Sequence, residues 1–356
     1  MKRLALIVLV GCGSTEAPPV APAPAPVEAP APVAPAAPVA PTSTAAFAPL
    51  PADMHGDTPS SAELVTLGRA LYFEPRMSLN QQIACNSCHP LDKYGADGEP
   101  TSPGHKGVRG TRNSPTTYNA ALHLAQFWDG RAATVEDQAK GPVLNPVEMA
   151  MPDAGFVLEV LKSIPGYQPM FAAAFPGEAD PITYDNFAKA VGAFERGLVT
   201  QNSKFDQYLG GKTDAMTPAE VAGLELFVAT GCTACHAGAT VGGAMYQKLG
   251  LVNAYETKDL GRFEVTKNEA DKFMFKVPSL RNVTHTGPYF HDGSIASLDE
   301  AVKKMAHHQL GKELTDAEVA SIVGFLDTLT GDLPTDYVAK PELPPSGPKT
   351  PKPKLN

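Results

Sequence analysis

Cys85-Asn86-Ser87-Cys88-His89 is the stretch that decides how this chain is read. In Cys-x-x-Cys-His, two thiols can add across the vinyl groups of a haem, and the histidine after them can turn under the iron as an axial ligand. The same pattern returns at Cys232-Thr233-Ala234-Cys235-His236. Two covalently bound haem c groups are therefore expected, one in each half. A redox disulfide or half of a zinc site would also use Cys-x-x-Cys, but neither accounts for a histidine in the following position twice.

The sequence before each motif repeats as well. Ser60-Ser61-Ala62-Glu63 has the Ser-x-x-Glu form of a capping box and leads into Leu64, Leu67 and Leu71 at helical spacing. Thr217-Pro218-Ala219-Glu220 gives a second such start, with Pro at the first helical position and Val221, Leu224 and Val228 behind it. The echo continues through Gly68-x-x-Leu71-Tyr72 and Gly223-x-x-Leu226-Phe227, with a longer loop before the first pair of cysteines. Further helices are predicted over 184–198 and from the Thr315-Asp316-Ala317-Glu318 start to about Leu329. Long alternating strand patterns are absent from the sequence, so the expected fold is mainly α: two cytochrome c-like lobes with long irregular loops, divided near residues 199–201.

The 356 residues are mildly acidic, with 29 Lys and Arg against 38 Asp and Glu, which argues against a nucleic-acid partner. Four of the five cysteines lie in the haem motifs. The fifth, Cys12, follows Met1-Lys2-Arg3, the apolar run Leu4 to Val10, and Gly11. That run is far shorter than the ~20 residues needed to cross a bilayer. It is similar to a bacterial lipoprotein signal in which Cys12 becomes the lipidated first residue, and the alternative is an ordinary export signal with an incidental cysteine. Export is expected on either reading. Residues 13–56, rich in Ala, Pro and Val, cannot bury a core and read as a tether; at about 3.1 Å per residue, Ala17 to Thr42 would reach roughly 80 Å. Residues 337–356, rich in Pro and Lys, read as a loosely held tail.

Residues around the haem motifs carry further chemistry, each with an ordinary structural alternative. Ser297-Leu298-Asp299-Glu300 caps a helix holding Met305, whose thioether is either a soft axial ligand or core packing, and His307 and His308 on the same segment could compete for the iron. His105 lies in a Gly- and Pro-rich loop, either as a ligand that can leave or as a solvated side chain. Glu148, in Asn145-Pro146-Val147-Glu148-Met149, sits among apolar residues that would raise its pKa and suit it to general base work, or it faces water. Trp128 is either core or an electron relay between haems.

Taken together these segments resemble the bacterial di-haem cytochrome c peroxidase family over about residues 57–336. The likeness is carried by both haem motifs, Gly110-Thr111-Arg112-Asn113-Ser114-Pro115-Thr116, Phe127-Trp128-Asp129-Gly130-Arg131, Asn145 to Met149, and Lys276-Val277-Pro278-Ser279-Leu280-Arg281-Asn282 running on to Pro288-Tyr289-Phe290-His291-Asp292-Gly293. The resemblance implies a peroxidatic haem domain at 57–199, with His89 as proximal ligand, His105 as the residue that closes the distal side at rest, and Gln138 and Glu148 as the distal pair. It implies an electron-accepting haem domain at 200–336 with His236 and Met305 as axial ligands. It places Trp128 between the haems, and Asn113, Thr286 and Pro288 at a calcium site, the last two through backbone oxygens. His291 receives no role.

The activity so implied is reduction of hydrogen peroxide to water with electrons from a small c-type cytochrome or cupredoxin, in a periplasmic lipoprotein held at the membrane, with a homodimer as a further partner. Two other readings stay open: a di-haem electron carrier without peroxide chemistry, which would need neither Gln138 nor Glu148, and a di-haem oxidase acting on a partner protein. That oxidase branch lacks a methionine at the position of Met305.

Overall fold

A computed structural model describes residues 44–56 and 59–355. Cys12 and most of the Ala- and Pro-rich stretch lie outside the described residues. As expected, helices dominate, and the named strands are the short antiparallel pair Tyr246–Lys248 and Met274–Lys276.

Each lobe is built on one crossed helix pair, and the repeat in the sequence marks where the crossing occurs. In the first lobe Ala62–Tyr72 packs on Tyr184–Glu195, and a Cβ on Gly68 would lie 1.8 Å from the Ala190 carbonyl oxygen. In the second, Pro218–Thr230 packs on Asp316–Asp327, and a Cβ on Gly223 would lie 2.2 Å from the Ser321 carbonyl oxygen. Only glycine lets the backbones come this close. Four residues along the partner helix, an aromatic pair seals each crossing, Tyr72 with Phe194 at 5.3 Å and Phe227 with Phe325 at 5.2 Å. Thr217 and Glu220 form the expected reciprocal capping box, and so do Thr315 and Glu318, but the first helix starts one residue later than the Ser60–Glu63 box expected, with Ser61 accepting from the Leu64 N–H. Such a cap contributes about 1 kcal/mol.

A second internal repeat joins the lobes. Ser114-Pro115-Thr116-Thr117-Tyr118-Asn119 and Val277-Pro278-Ser279-Leu280-Arg281-Asn282 end in asparagines with φ of 61° and 59°. Both side-chain amides donate to the Thr200 hydroxyl at 3.1 Å. Thr200 therefore ties the two segments together. Beside it, the fully buried Arg281 forms a two-pronged pair with Asp206 at 2.8 Å on each arm.

Both ends of the described chain depart from the sequence reading. Residues 44–56, assigned to the tether, are seated on the body: Phe47 packs edge-on to Phe205 at 5.1 Å, and the Met54 N–H donates to the Arg196 carbonyl at 2.9 Å. The segment assigned to a loose tail lies along the first lobe. Tyr337 stacks on Phe194 and donates to its carbonyl at 2.7 Å, Arg76 donates to the Pro344 carbonyl at 2.7 Å, and the Lys354 N–H donates to the Leu79 carbonyl at 2.9 Å. Composition suggested a free end because proline and lysine rarely build a core. Here the segment needs none of its own, since the first lobe supplies the apolar surface and hydrogen-bond partners.

Candidate active site

Each Cys-x-x-Cys-His motif opens into its own cavity. One of about 170 Å³ is lined by Cys85, Cys88 and His89 together with Gln138, Glu148 and Trp128. Another of about 270 Å³ is lined by Cys232, Cys235, His236 and Met305, and reaches Trp128, Lys276 and His123. Trp128, Asn113, Pro115 and Thr116 belong to both walls.

The four motif sulfurs are unpaired, and burial pushes the Cys88 and Cys232 thiols up to about 11. Both motif histidines are oriented by main chain. His89 Nδ1 lies 3.3 Å from the Gly95 carbonyl oxygen, and His236 Nδ1 lies 3.4 Å from that of Val241. The main chains of Pro115 and Pro278, equivalent positions of the second repeat, also bond these rings. A donor at Nδ1 fixes the tautomer and leaves Nε2 free to ligate. Burial lowers both imidazoles, His236 to about 4, so each is in the neutral form that binds metal. Among the described residues no three His, Cys, Asp or Glu side chains gather into a metal-holding cluster, so the second half of a zinc site is not built at either motif. Donor set, ring orientation and cavity thus fit a haem at each motif.

The distal side of the first cavity is held by one helix and the turn after it. Thr134 caps Val135–Leu144, which presents Gln138 to the cavity, and the turn at Asn145 brings Glu148 beside it. The Asn145 amide donates to Glu148 Oε1 at 2.8 Å. Burial raises the Glu148 carboxyl above the ordinary range, while Arg131 and Asn145 oppose that rise. Arg131 is itself held over the Phe127 ring at 3.4 Å and paired with Asp129 at 3.0 Å.

His105 is buried beside this cavity, outside the wall that Gly104 joins. Its N–H donates to the Glu148 carbonyl at 2.8 Å, and its Nδ1 is buried without a partner. A Cβ on Gly104 would lie 1.9 Å from the Val147 carbonyl oxygen, so this glycine serves close packing of the loop on the Glu148 turn.

In the second cavity Ser297 caps Leu298–Leu310, and Met305 is the side chain of its histidine-rich stretch that faces inward. His307 turns to Glu313, and His308 Nδ1 bonds the Asn253 carbonyl at 2.9 Å. Neither lines the cavity. Asn113, Thr286 and Pro288 line the same cavity, where the Asn113 amide donates to the Glu99 carbonyl at 3.0 Å. Its N–H donates to the carbonyl of His291, whose ring bonds Thr257 and lies 4.4 Å from Phe275. His291 is thus a structural link.

Four participants received no role from sequence reasoning. Arg112 spans the lobes, bonding Asp129 at 2.5 Å and Asp259 at 2.6 Å. Glu195 is buried in the wall of the first cavity, and burial pushes its carboxyl up to about 8. His123 and Lys276 meet in the second. Arg112 and Lys276 stand in segments that carry the family resemblance, but neither those segments nor the charges themselves say which cavity a residue enters.

Comparison with known proteins agrees with this geometry. A family model described as di-haem cytochrome c peroxidase matches residues 62–214, and one described as cytochrome c matches 220–330. The chain is 47% identical over 297 residues to the cytochrome c551 peroxidase of Nitrosomonas europaea, covering 83% of this chain and 87% of that one. It is 43% identical to the cytochrome c551 peroxidase of Pseudomonas aeruginosa, covering 87% and 91%. The methylamine utilization protein MauG of Methylorubrum extorquens is 33% identical, covering 80% and 83%. Among solved structures, a MauG-like protein associated with microbial copper homeostasis superposes with a TM-score of 0.73 at 28% identity, covering 82% and 97%. With such identity sustained across both haem lobes, the chain belongs to the di-haem cytochrome c peroxidase family.

Proposed function

We propose that this chain reduces hydrogen peroxide to water in its first haem domain, 57–199, using electrons that enter through the second, 200–336. The observation that carries this reading is the asymmetry of the cavities: Gln138 and Glu148 stand over the motif of His89, whereas Met305 faces the motif of His236. When bound, the haems supply the redox-active iron and the coordination position at which the O–O bond is broken.

Glu148 accepts a proton from one peroxide oxygen and returns it to the other, so that water can leave. Burial raises its carboxyl, which favours the protonated form that it passes through in the transfer. Asn145 holds the carboxylate in place, and Gln138 orients the substrate from the same wall. Two electrons and two protons complete the balance for each peroxide, giving two waters.

A neutral thioether raises the potential of a haem it ligates, which suits Met305 to a store of one electron. Trp128, common to both walls, is the relay. With haem bound, His105 would be the residue that closes the first iron at rest and withdraws when the second is reduced. Its buried, unpartnered Nδ1 supports that role. Asn113, Thr286 and Pro288 contribute to calcium at the lobe interface, consistent with hard oxygen ligands drawn from both lobes. The donor is a small c-type cytochrome or cupredoxin, and the protein is periplasmic, held at the membrane through lipid on Cys12. No described helix is long and apolar enough to cross a membrane.

Stopped-flow mixing of the half-reduced, calcium-loaded protein with hydrogen peroxide tests the whole reading. The expected result is a rapid change at the first haem and multiple turnovers with a reduced donor. A protein that exchanges electrons with the donor but leaves peroxide untouched would be a carrier.

A further inference from the structure

Lys276 ends the short strand Met274–Lys276, and its N–H donates to the Trp128 carbonyl at 2.8 Å. Its side chain enters the second cavity, where the residue is 7% exposed. Its Nζ bonds His123 Nδ1 at 3.0 Å. Among the described residues no carboxylate pairs with the ammonium, and burial alone drives Lys276 down to about 8. An ammonium has three donors and is rarely buried without an anion.

His123 comes from the first lobe and lines the same cavity. Because Nδ1 accepts from Lys276, the imidazole proton sits on Nε2, which is buried without a partner. The ring enters through a gap that Gly243 provides, since a Cβ there would lie 2.4 Å from His123 Cδ2. Two lobes thus converge donors on one cavity wall, and no anion among the described residues meets them.

The bound haem would supply one. Its vinyl-derived edge is fixed at Cys232 and Cys235, and its two propionates lie on the opposite edge of the ring. We infer that Lys276 and His123 form a two-lobe clasp for a propionate carboxylate of the second haem, with the ammonium as counter-ion and the imidazole N–H as second donor. The clasp neutralises a negative charge next to the iron and so holds the potential of that haem up. It also ties the haem edge to Trp128 through the main chain of Lys276. The inference rests on haem occupying the second cavity.

Equilibrium redox titration of the purified holoprotein, with haem counted by mass, tests it using Lys276→Met, Lys276→Arg and His123→Gln. Two haems per chain confirm the occupancy on which the inference rests. The midpoint of the second haem should then fall in Lys276→Met by enough to shift its oxidised-to-reduced ratio at least tenfold, about 59 mV for one electron. Lys276→Arg should restore most of that shift, and His123→Gln should give a smaller fall. The carboxylate stretching band of the haem in infrared difference spectra should move in Lys276→Met and return in Lys276→Arg. An unchanged second midpoint in Lys276→Met overturns the clasp, as does an Arg variant that behaves like Met. If Lys276→Met does not accumulate, Lys276→Gln, which keeps a donor without the charge, is read by the same criteria.

Discussion

The Trp128 indole N–H donates to the main-chain carbonyl of Asn113 at 2.9 Å, and both residues line both haem cavities. The Trp128 carbonyl is bound in turn by the N–H of Lys276 from the other lobe. Ring and backbone are therefore fixed from two sides, which a relay between haems requires. Trp128→Phe should keep both haems, cost about 1 kcal/mol for the lost hydrogen bond, and slow reoxidation of the second haem by peroxide in single-turnover stopped flow. Unaltered interhaem kinetics would assign Trp128 to packing alone.

Glu148→Gln retains the size of the side chain and removes the transferable proton. Peroxide turnover should drop by about a hundredfold or more, within the ~100 to 10,000-fold range of general acid and base catalysis. Haem content and the visible spectrum should match wild type. Near-normal turnover would remove Glu148 from the mechanism.

His105→Gly should make the fully oxidised protein reactive with peroxide, with a high-spin first haem before any reduction. The wild type should be low-spin and slow until its second haem is reduced. The main-chain bond from His105 to Glu148 can survive this substitution, so Glu148 remains placed. A variant that stays low-spin and inert until reduced would show that another residue closes the iron.

Met305→His exchanges a thioether for a stronger donor at the same cavity wall. The second midpoint should fall by roughly a hundred millivolts or more, a modest part of the ~0.8 V that axial ligands span. The partially reduced state that accepts peroxide should then form only with stronger reductants. A midpoint equal to wild type would exclude Met305 as ligand.

Cys12→Ala should move the protein from the membrane fraction to the soluble periplasm without changing peroxidase activity. Continued membrane association in that variant would rule out anchoring through Cys12.

What the sequence determined by itself is local chemistry. Cys-x-x-Cys-His requires neighbouring residues only, helix caps act over three positions, and the Gly68 and Gly223 repeat follows helical spacing, so the haem motifs, the main helices and the two-lobe architecture were legible. Tertiary structure decided which side chains share a cavity. Met305 turns inward while His307 and His308 find Glu313 and Asn253, a choice set by the rotation of one helix against the second lobe. Only folding brings His123 to Lys276 across 153 positions, or seats the proline-rich end of the chain on Phe194 and Leu79. These contacts depend on surface and unpaired donors offered by distant segments, and no pattern within either segment records the other.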